Sequence, residues 1–355
     1  MKVKAIDIAQ LVAERLGALP ACLQSLLHTQ SLCEQDTGKR IRPICVTDGP
    51  VWVTGGGMSE GPAHYLVSLL SAQGIPAAFI PLSEFVSDSL PQPGRTLVLF
   101  SQGLAPNARF PLRHHRAFAR TVIVTSVTPI PDAQTASIPR QLADLVAQGI
   151  EPFVVPPQQE SGLLLRVIGP TVQALAAAIL AGIPISQLLH IPITYQQQLA
   201  SDPTQALFPD RTPQRLALIA GGRYGAACFG LRWKLLEGLL LADPPIYDLL
   251  QIAHGPLQSL WNQPAVLLLL ERHDAPHEEA LYARLRQVFS MPRHRVLSLR
   301  AQTHRGLLAY FEHAALLDAL LLSALRTLAP PLDRWPGQGL DGPLYDLAPP
   351  HLCAR

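Results

Sequence analysis

Charge is what this sequence has least of. Only 15% of its 355 residues are Asp, Glu, Lys or Arg, and the formal net charge is +2. A balance that near neutral leaves no basic footprint for nucleic acid. The hydrophobic share is 48%, which suits buried cores and excludes a disordered chain. Cysteine is scarce too: Cys22, Cys33, Cys45, Cys228 and Cys353 form no Cys-x-x-Cys pair and no zinc-type spacing. The opening Met-Lys-Val-Lys-Ala-Ile-Asp-Ile-Ala-Gln lacks an apolar segment for secretion, so reduced thiols and a cytoplasmic location are expected. Residues 167–185 are apolar enough to suggest a membrane span, but Gly169-Pro170, Gln173 and Gly182-Ile183-Pro184 interrupt them. A buried helix is the expectation there, with no membrane partner.

What is present is a regular alternation of β-branched runs and helical patterns. Residues 1–45 read as a helical lead-in, with apolar positions at helical spacing over 6–16 and 19–32. Strands are expected at 51–54, 77–81, 96–100, 121–125 and 151–155, and again at 216–220, 265–271 and 295–299. Helices near 226–241, 276–289 and 312–328 complete the second half. Such runs alternating with helices indicate an α/β protein whose parallel sheets are covered on both faces. Each half opens with strand, glycine turn and helix, which suggests duplication. The boundaries expected are 46–190 for the first domain, a Pro/Gln/Asp-rich linker over 191–213, 214–330 for the second domain, and a tail over 331–355. Trp52, Trp233 and Trp261 sit in apolar surroundings and are expected in the core.

The residues with the most chemical promise follow the second glycine turn, Gly221-Gly222-Arg223-Tyr224-Gly225. Lys234 and Glu237 stand three apart and so project from one helix face, and His254-Gly255-Pro256 follows seventeen residues after Glu237. A carboxylate, an imidazole and an ammonium are the parts of proton transfer next to a carbonyl. In isolation the Lys/Glu pair also fits a solvated helix face. His114-His115 and the pair His273/His277, beside Asp274 and Glu278, lack a third ligand at sensible spacing, so no metal is expected.

The run from Gly221 to Leu260 resembles the sugar isomerase (SIS) family, and in particular the isomerase domain of glutamine–fructose-6-phosphate aminotransferases. That resemblance implies two tandem flavodoxin-like SIS domains, each a parallel sheet flanked by helices. It carries the proton-shuttling base to Glu237, the ring-opening histidine to His254 and the neighbouring cation to Lys234. In that family the histidine reaches the site from a neighbouring subunit, so a homodimer is implied. In the first half, Gly55, Gly57 and Ser59 resemble the family's Gly-x-Gly-x-Ser turn, and Ser101-Gln102 resembles the start of its Ser-Gln-Ser-Gly-Glu-Thr sugar-phosphate loop. Here that loop reads Ser101-Gln102-Gly103-Leu104-Ala105-Pro106-Asn107, so the second Ser and the Thr are absent. Gly103 can still offer backbone N–H groups and Asn107 one side-chain donor. Glu160-Ser161-Gly162 resembles the family's Glu-x-Gly, and Gly222 stands in the second glycine turn. Asp341-Gly342-Pro343 and Leu347-Ala348 resemble the closing tail, with Pro349 where a lysine is usual.

Three functions stay open at this level. The first is a phosphosugar or amino-sugar-phosphate isomerase or deaminase acting through an enediol, with a sugar phosphate as ligand and no cofactor. The second is a non-catalytic module that binds a sugar derivative through a degenerate phosphate loop. The third is a NAD-type oxidoreductase resting on Gly55-Gly56-Gly57, against which no acidic residue closes the second strand about twenty residues on. Met1-Lys2 offers no nucleophilic cysteine, so glutamine-dependent amino transfer is not expected.

Overall fold

The apolar runs become strands because they can be buried on both faces, and they are. In a computed structural model of the chain, residues 7–35, 41–87, 95–135, 137–200, 207–208, 214–340 and 342 are described. They form two compact units, one made chiefly of Ala21–Ser161 and Ile168–Leu189, the other of Gly162–Val167 and His190–Arg334. Helix α1 (Ile8–Gln35) precedes both sheets, its residues to Pro20 counting with the second unit and those from Ala21 with the first. Two helices were expected in this stretch. One forms instead, although Pro20 removes a backbone donor, and the leucines around it (Leu16, Leu19, Leu23, Leu26) are fully buried.

The first unit holds β1 (Val51–Gly55), α2 (Glu60–Ala72), β2 (Ala77–Phe79), β3 (Thr96–Phe100), α3 (Phe110–Arg113), β4 (Arg120–Thr125), α4 (Ile138–Ala147), β5 (Glu151–Val154), α5 (Ile168–Leu180) and α6 (Ile185–Leu188). Its five strands are parallel in the order β2-β1-β3-β4-β5, the flavodoxin-like order. Every residue of β3 and β4 is buried. Helices α2 and α5 pack on each other and on the sheet. Leu142 and Leu145 of α4 join Leu99, Leu104, Leu112 and Ile123 in a separate apolar cluster. All thirteen residues of α5 are buried, as the apolar run around them implied. Ser137 starts α4 by accepting from the Arg140 N–H at 3.4 Å.

The second unit holds α7 (Ile191–Ala200), β6 (Arg215–Ala220), α8 (Arg223–Ala227), α9 (Phe229–Leu239), β7 (Ile246–Asp248), α10 (Pro256–Trp261), β8 (Ala265–Arg272), α11 (Pro276–Val288), β9 (Arg295–Ala301) and α12 (Tyr310–Leu328). Its parallel sheet runs β7-β6-β8-β9, so its four strands repeat the order of the first four strands of the first sheet. Tyr282 and Leu285 of α11, with Phe289 just after it, cover the β6 and β8 side chains on one face, and Trp261 packs against that cluster, while Trp52 packs edge-on to Phe85 and Phe118 in the first unit. Trp233 is half-buried. Helix α12 packs on α7, α9 and β9. The stretch Gly306–Leu328 is apolar and long enough to cross a membrane, yet 72% of its most apolar window is buried inside the protein, as befits a core helix.

Three expectations change. The segment 191–213 does not begin as a linker: α7 occupies its start, with Ile191, Pro192, Thr194 and Tyr195 buried. The helix expected over 226–241 is two helices that break at Cys228, whose φ of −86° and ψ of 4° leave the helical basin, and α9 ends where Leu240 turns left-handed at φ 53°. Strand β7 was not foreseen. It has three half-buried residues after Asp243-Pro244-Pro245 and so carries no apolar run to announce it.

Candidate active site

In an open parallel sheet the ligand crevice lies beyond the carboxyl ends of the strands, where the strand order reverses. In the first sheet that point falls between β1 and β3. Their register sets Gly55 opposite Phe100, so both following loops leave the sheet at the same level. Gly55 is obligatory: a Cβ there would stand 2.5 Å from the Ser59 carbonyl oxygen, so the chain folds back closely on the strand end. Gly57 takes φ 56°, open to glycine at little cost. Ser59 is buried, and its hydroxyl donates to Gln173 Oε1 of α5 at 3.0 Å.

The β3 loop faces it. Ser101 is buried, with its N–H on the Val124 carbonyl at 3.0 Å. The Gln102 carbonyl accepts from the N–H and hydroxyl of Ser126 and from the Thr125 hydroxyl. The Gln102 side-chain amide donates to Gln158 Oε1 at 2.9 Å and packs close to Gly169, where a Cβ would meet Gln102 Oε1 at 2.7 Å. Gly103 is exposed and Asn107 half-buried on the 3-10 turn Pro106–Arg109. Glu160, 1% exposed, accepts from the N–H groups of Ile168 and Gly169 at 2.8 and 2.7 Å. It caps α5, where carboxylate charge is favoured by the helix dipole.

The structure thus brings Gly57, Ser59, Ser101, Gln102, Gly103, Asn107 and Glu160 into the loops and helix start at the carboxyl edge of one sheet. Arg109 belongs to no motif in the sequence, yet its Nε donates to the Leu104 carbonyl at 2.8 Å. Burial lowers its pKa. The only signal for it is its place two residues after the loop Ser101–Asn107.

Gly222, Lys234, Glu237 and His254 belong to the other unit. Gly222, at φ 55° and ψ −140°, needs glycine, and its N–H donates to Asp248 Oδ2 at 3.0 Å. Asp248 closes β7 and also accepts from Leu250 and Gln251 N–H, setting the turn that carries His254. Burial opposes its charge, but those backbone donors outweigh burial and lower its pKa. An acidic residue at the end of a second strand is the ribose-binding feature of dinucleotide folds, but these oxygens are taken by backbone. His254 is exposed between the 3-10 turn Gln251–Ala253 and α10. Lys234 and Glu237 do share helix α9, as their spacing requires. Glu237 is half-buried, whereas Lys234 is 1% exposed and its Nζ lies 2.6 Å from Asp318 Oδ2 of α12. The Tyr195 hydroxyl donates to the same oxygen. Lys234 is thereby held in a buried ion pair whose partner, 84 residues on, has no local sequence signal.

Helix α12 carries a second buried polar side chain, His313, which no sequence motif marks. His313 Nε2–H donates to the Glu271 and Leu299 carbonyls at 3.0 and 2.9 Å, so Nδ1 is the acceptor for the Tyr224 hydroxyl at 2.5 Å. Burial pushes the His313 pKa down to about 4, so this imidazole is neutral at pH 7. His114, His115 and His273 each bond a backbone carbonyl. Among the described residues no group of three or more His, Cys, Asp and Glu is placed to hold a metal.

The sequence matches no family model and no curated protein. The fold, in contrast, has clear counterparts. Tagatose-6-phosphate ketose/aldose isomerase from Escherichia coli superposes with a TM-score of 0.66 at 14% identity, over 91% of this chain and 94% of that one. The C-terminal domain of glucosamine-fructose-6-phosphate aminotransferase from Francisella tularensis gives 0.64 at 15% identity, over 91% and 97%. Glucosamine-6-phosphate deaminase from Thermotoga maritima gives 0.61 at 15% identity, over 90% and 94%. The fold of this protein is therefore that of the SIS-type sugar isomerases, two parallel sheets flanked by helices. At this identity the likeness carries the fold, and the activity has to be argued from the site.

Proposed function

We propose that this protein is a phosphosugar or amino-sugar-phosphate isomerase or deaminase of the SIS family, built from two tandem domains that arose by duplication. The observation that carries the reading is the strand-order reversal between β1 and β3, from which two glycine-bearing loops leave the sheet side by side, in a fold shared with three proteins named for sugar phosphates. In this reading Ser101, Gln102, Gly103 and Asn107 hold the ligand's anionic end, with Gly57 and Ser59 shaping the opposite wall and Glu160 fixing the start of α5. Gly222 keeps the second glycine turn in place.

Glu237 is the base that moves a proton between adjacent sugar carbons through an enediol. His254, exposed on its turn, opens the sugar ring and serves a neighbouring copy in a cytoplasmic homodimer. Lys234 acts through its ion pair, holding α9 so that Glu237 is correctly presented.

The test is deuterium exchange at the sugar C2 in D2O, followed by proton NMR, with hexose 6-phosphates and their 2-amino counterparts. Exchange is expected with wild type, and Glu237→Gln should slow it about 10²–10⁴-fold while leaving ligand-induced thermal stabilisation intact. Stabilisation without exchange would replace the enzyme with a sugar-derivative-binding module. Neither effect with any sugar phosphate would end the reading.

A further inference from the structure

The second sheet reverses its strand order too, between β6 and β8. The register of these strands sets Ile219 opposite Leu269, so Gly221 and Arg272, the last residue of β8, lie at the same carboxyl edge. That edge is where an open parallel sheet takes a ligand. At the first reversal the atoms nearest a Cβ on Gly55 are backbone atoms of Ser59 and Phe100. At the second, a Cβ on Gly221 would overlap the Glu278 carboxyl group and stand 2.8 Å from its Oε2. Only glycine lets a carboxylate rest on the main chain there.

Glu278 reaches this point from the first turn of α11. A Glu at the third helical position ordinarily turns back to bond the amide at the helix start. Helix α11 has no side-chain cap, and among the described residues Glu278 makes no such bond. Its Oε1 instead accepts from Arg272 Nη2 at 3.3 Å, with the exposed His277 imidazole 3.9 Å away. The Arg272 guanidinium lies over the Tyr224 ring of α8, its carbon 4.8 Å from the centroid. The Glu278 carboxylate therefore touches Gly221 and Arg272 both, and Tyr224 backs the guanidinium. Arg272 Nε and Glu278 Oε2 are buried with no hydrogen-bond partner among the described residues, so each charge depends on the other.

We propose that Arg272 and Gly221 form a carboxylate-binding site at the second reversal, and that its ligand is the chain's own Glu278. The guanidinium supplies the charge, the bare glycine supplies the room, and the Glu278 side chain fills both. The second unit then takes no outside ligand at its reversal, although its strand order repeats that of the first. Resting on the reading of the first sheet as the ligand-facing one, a chain holds one sugar phosphate and not two.

The test is chemical rescue in the full chain. Glu278→Ala removes a group with the shape and charge of acetate and leaves the guanidinium unpaired. Its melting midpoint is expected about 3–10 °C below wild type. Sodium acetate at about ten times its dissociation constant, compared with sodium chloride at equal ionic strength, is expected to return about 3–6 °C. Wild type, whose site is filled, and Glu278→Ala combined with Arg272→Met, whose site is gone, should not distinguish the two salts. A folded Glu278→Ala variant that acetate stabilises no more than chloride does overturns the proposal. Where that variant does not fold, Glu278→Gln decides, because it keeps the shape and loses the charge. A lowered midpoint without an acetate effect then supports the site, and a wild-type midpoint overturns it. Two equivalents of glucosamine 6-phosphate per wild-type chain, the second lost in Arg272→Met, would overturn it as well. Binding of no sugar phosphate would end the sugar reading and leave the acetate result to decide this one.

Discussion

Replacing Lys234 by Met should unfold much of the second unit's stability, and the reason is electrostatic rather than catalytic. Lys234 and Asp318 are 1% and 0% exposed, with Nζ 2.6 Å from Oδ2. Removing the ammonium leaves a carboxylate in the apolar interface of α9 and α12, where the Tyr195 hydroxyl cannot neutralise it. Burial and that carboxylate together hold the Tyr195 pKa well above its ordinary value. Breaking one side of a buried ion pair costs about 3–5 kcal/mol, a large part of a typical total of about 5–15 kcal/mol. For a unit of this size each kcal/mol lowers the melting midpoint by about 2–4 °C, so a fall of about 6–20 °C is expected. Replacing both partners, Lys234→Met with Asp318→Leu, should recover most of the loss, because two apolar side chains need no compensation. Thermal and urea unfolding of wild type, both single variants and the double variant form the cycle. A Lys234→Met midpoint within about 2 °C of wild type would refute the argument and return Lys234 to the role of an accessible cation.

Two further outcomes follow from buried contacts. His313 is neutral when folded, with a pKa of about 4 against 6.5 for the ordinary imidazole, so between those values the unfolded chain binds the extra proton. Stability present above pH 6.5 should therefore fall as pH drops toward 4, by up to about 3 kcal/mol at about 1.4 kcal/mol per unit, and His313→Gln should flatten that window in urea titrations. An unchanged slope in the variant would remove His313 as its source. Gly238 lets α9 approach α12, since a Cβ there would lie 2.8 Å from Leu321 Cδ1. Gly238→Val should destabilise by about 1–3 kcal/mol through overpacking, and a neutral result in denaturant unfolding would show that Leu321 can rotate away.

The site was legible to unequal depth. Glycine loops announce themselves, because a chain that must turn at positive φ, or run so close to another backbone that a Cβ would stand 2.5 Å from its oxygen, can use little else, as at Gly55, Gly57 and Gly222. Lys234 and Glu237 were correctly placed on one helix by spacing alone. The partners of those residues were not legible. Asp318, Gln173 and Gln158 reach Lys234, Ser59 and Gln102 across 84, 114 and 56 residues, and no local pattern marks them. Arg109 carries no motif, and an arginine at a turn reads as solvated until the carbonyl it bonds is known.

By itself the sequence determined that this is an α/β protein with two parallel sheets, because apolar β-branched runs separated by helical periods have no other way to bury both faces. It also determined where the chain turns and which helix carries Lys234 and Glu237. Only the tertiary structure decided that 191–200 is a packed helix, that β7 pairs as an edge strand, and that Lys234 is enclosed with Asp318 while His254 faces solvent. Those outcomes depend on which distant side chains meet, and a charge is exposed or compensated according to that packing rather than to its neighbours along the chain.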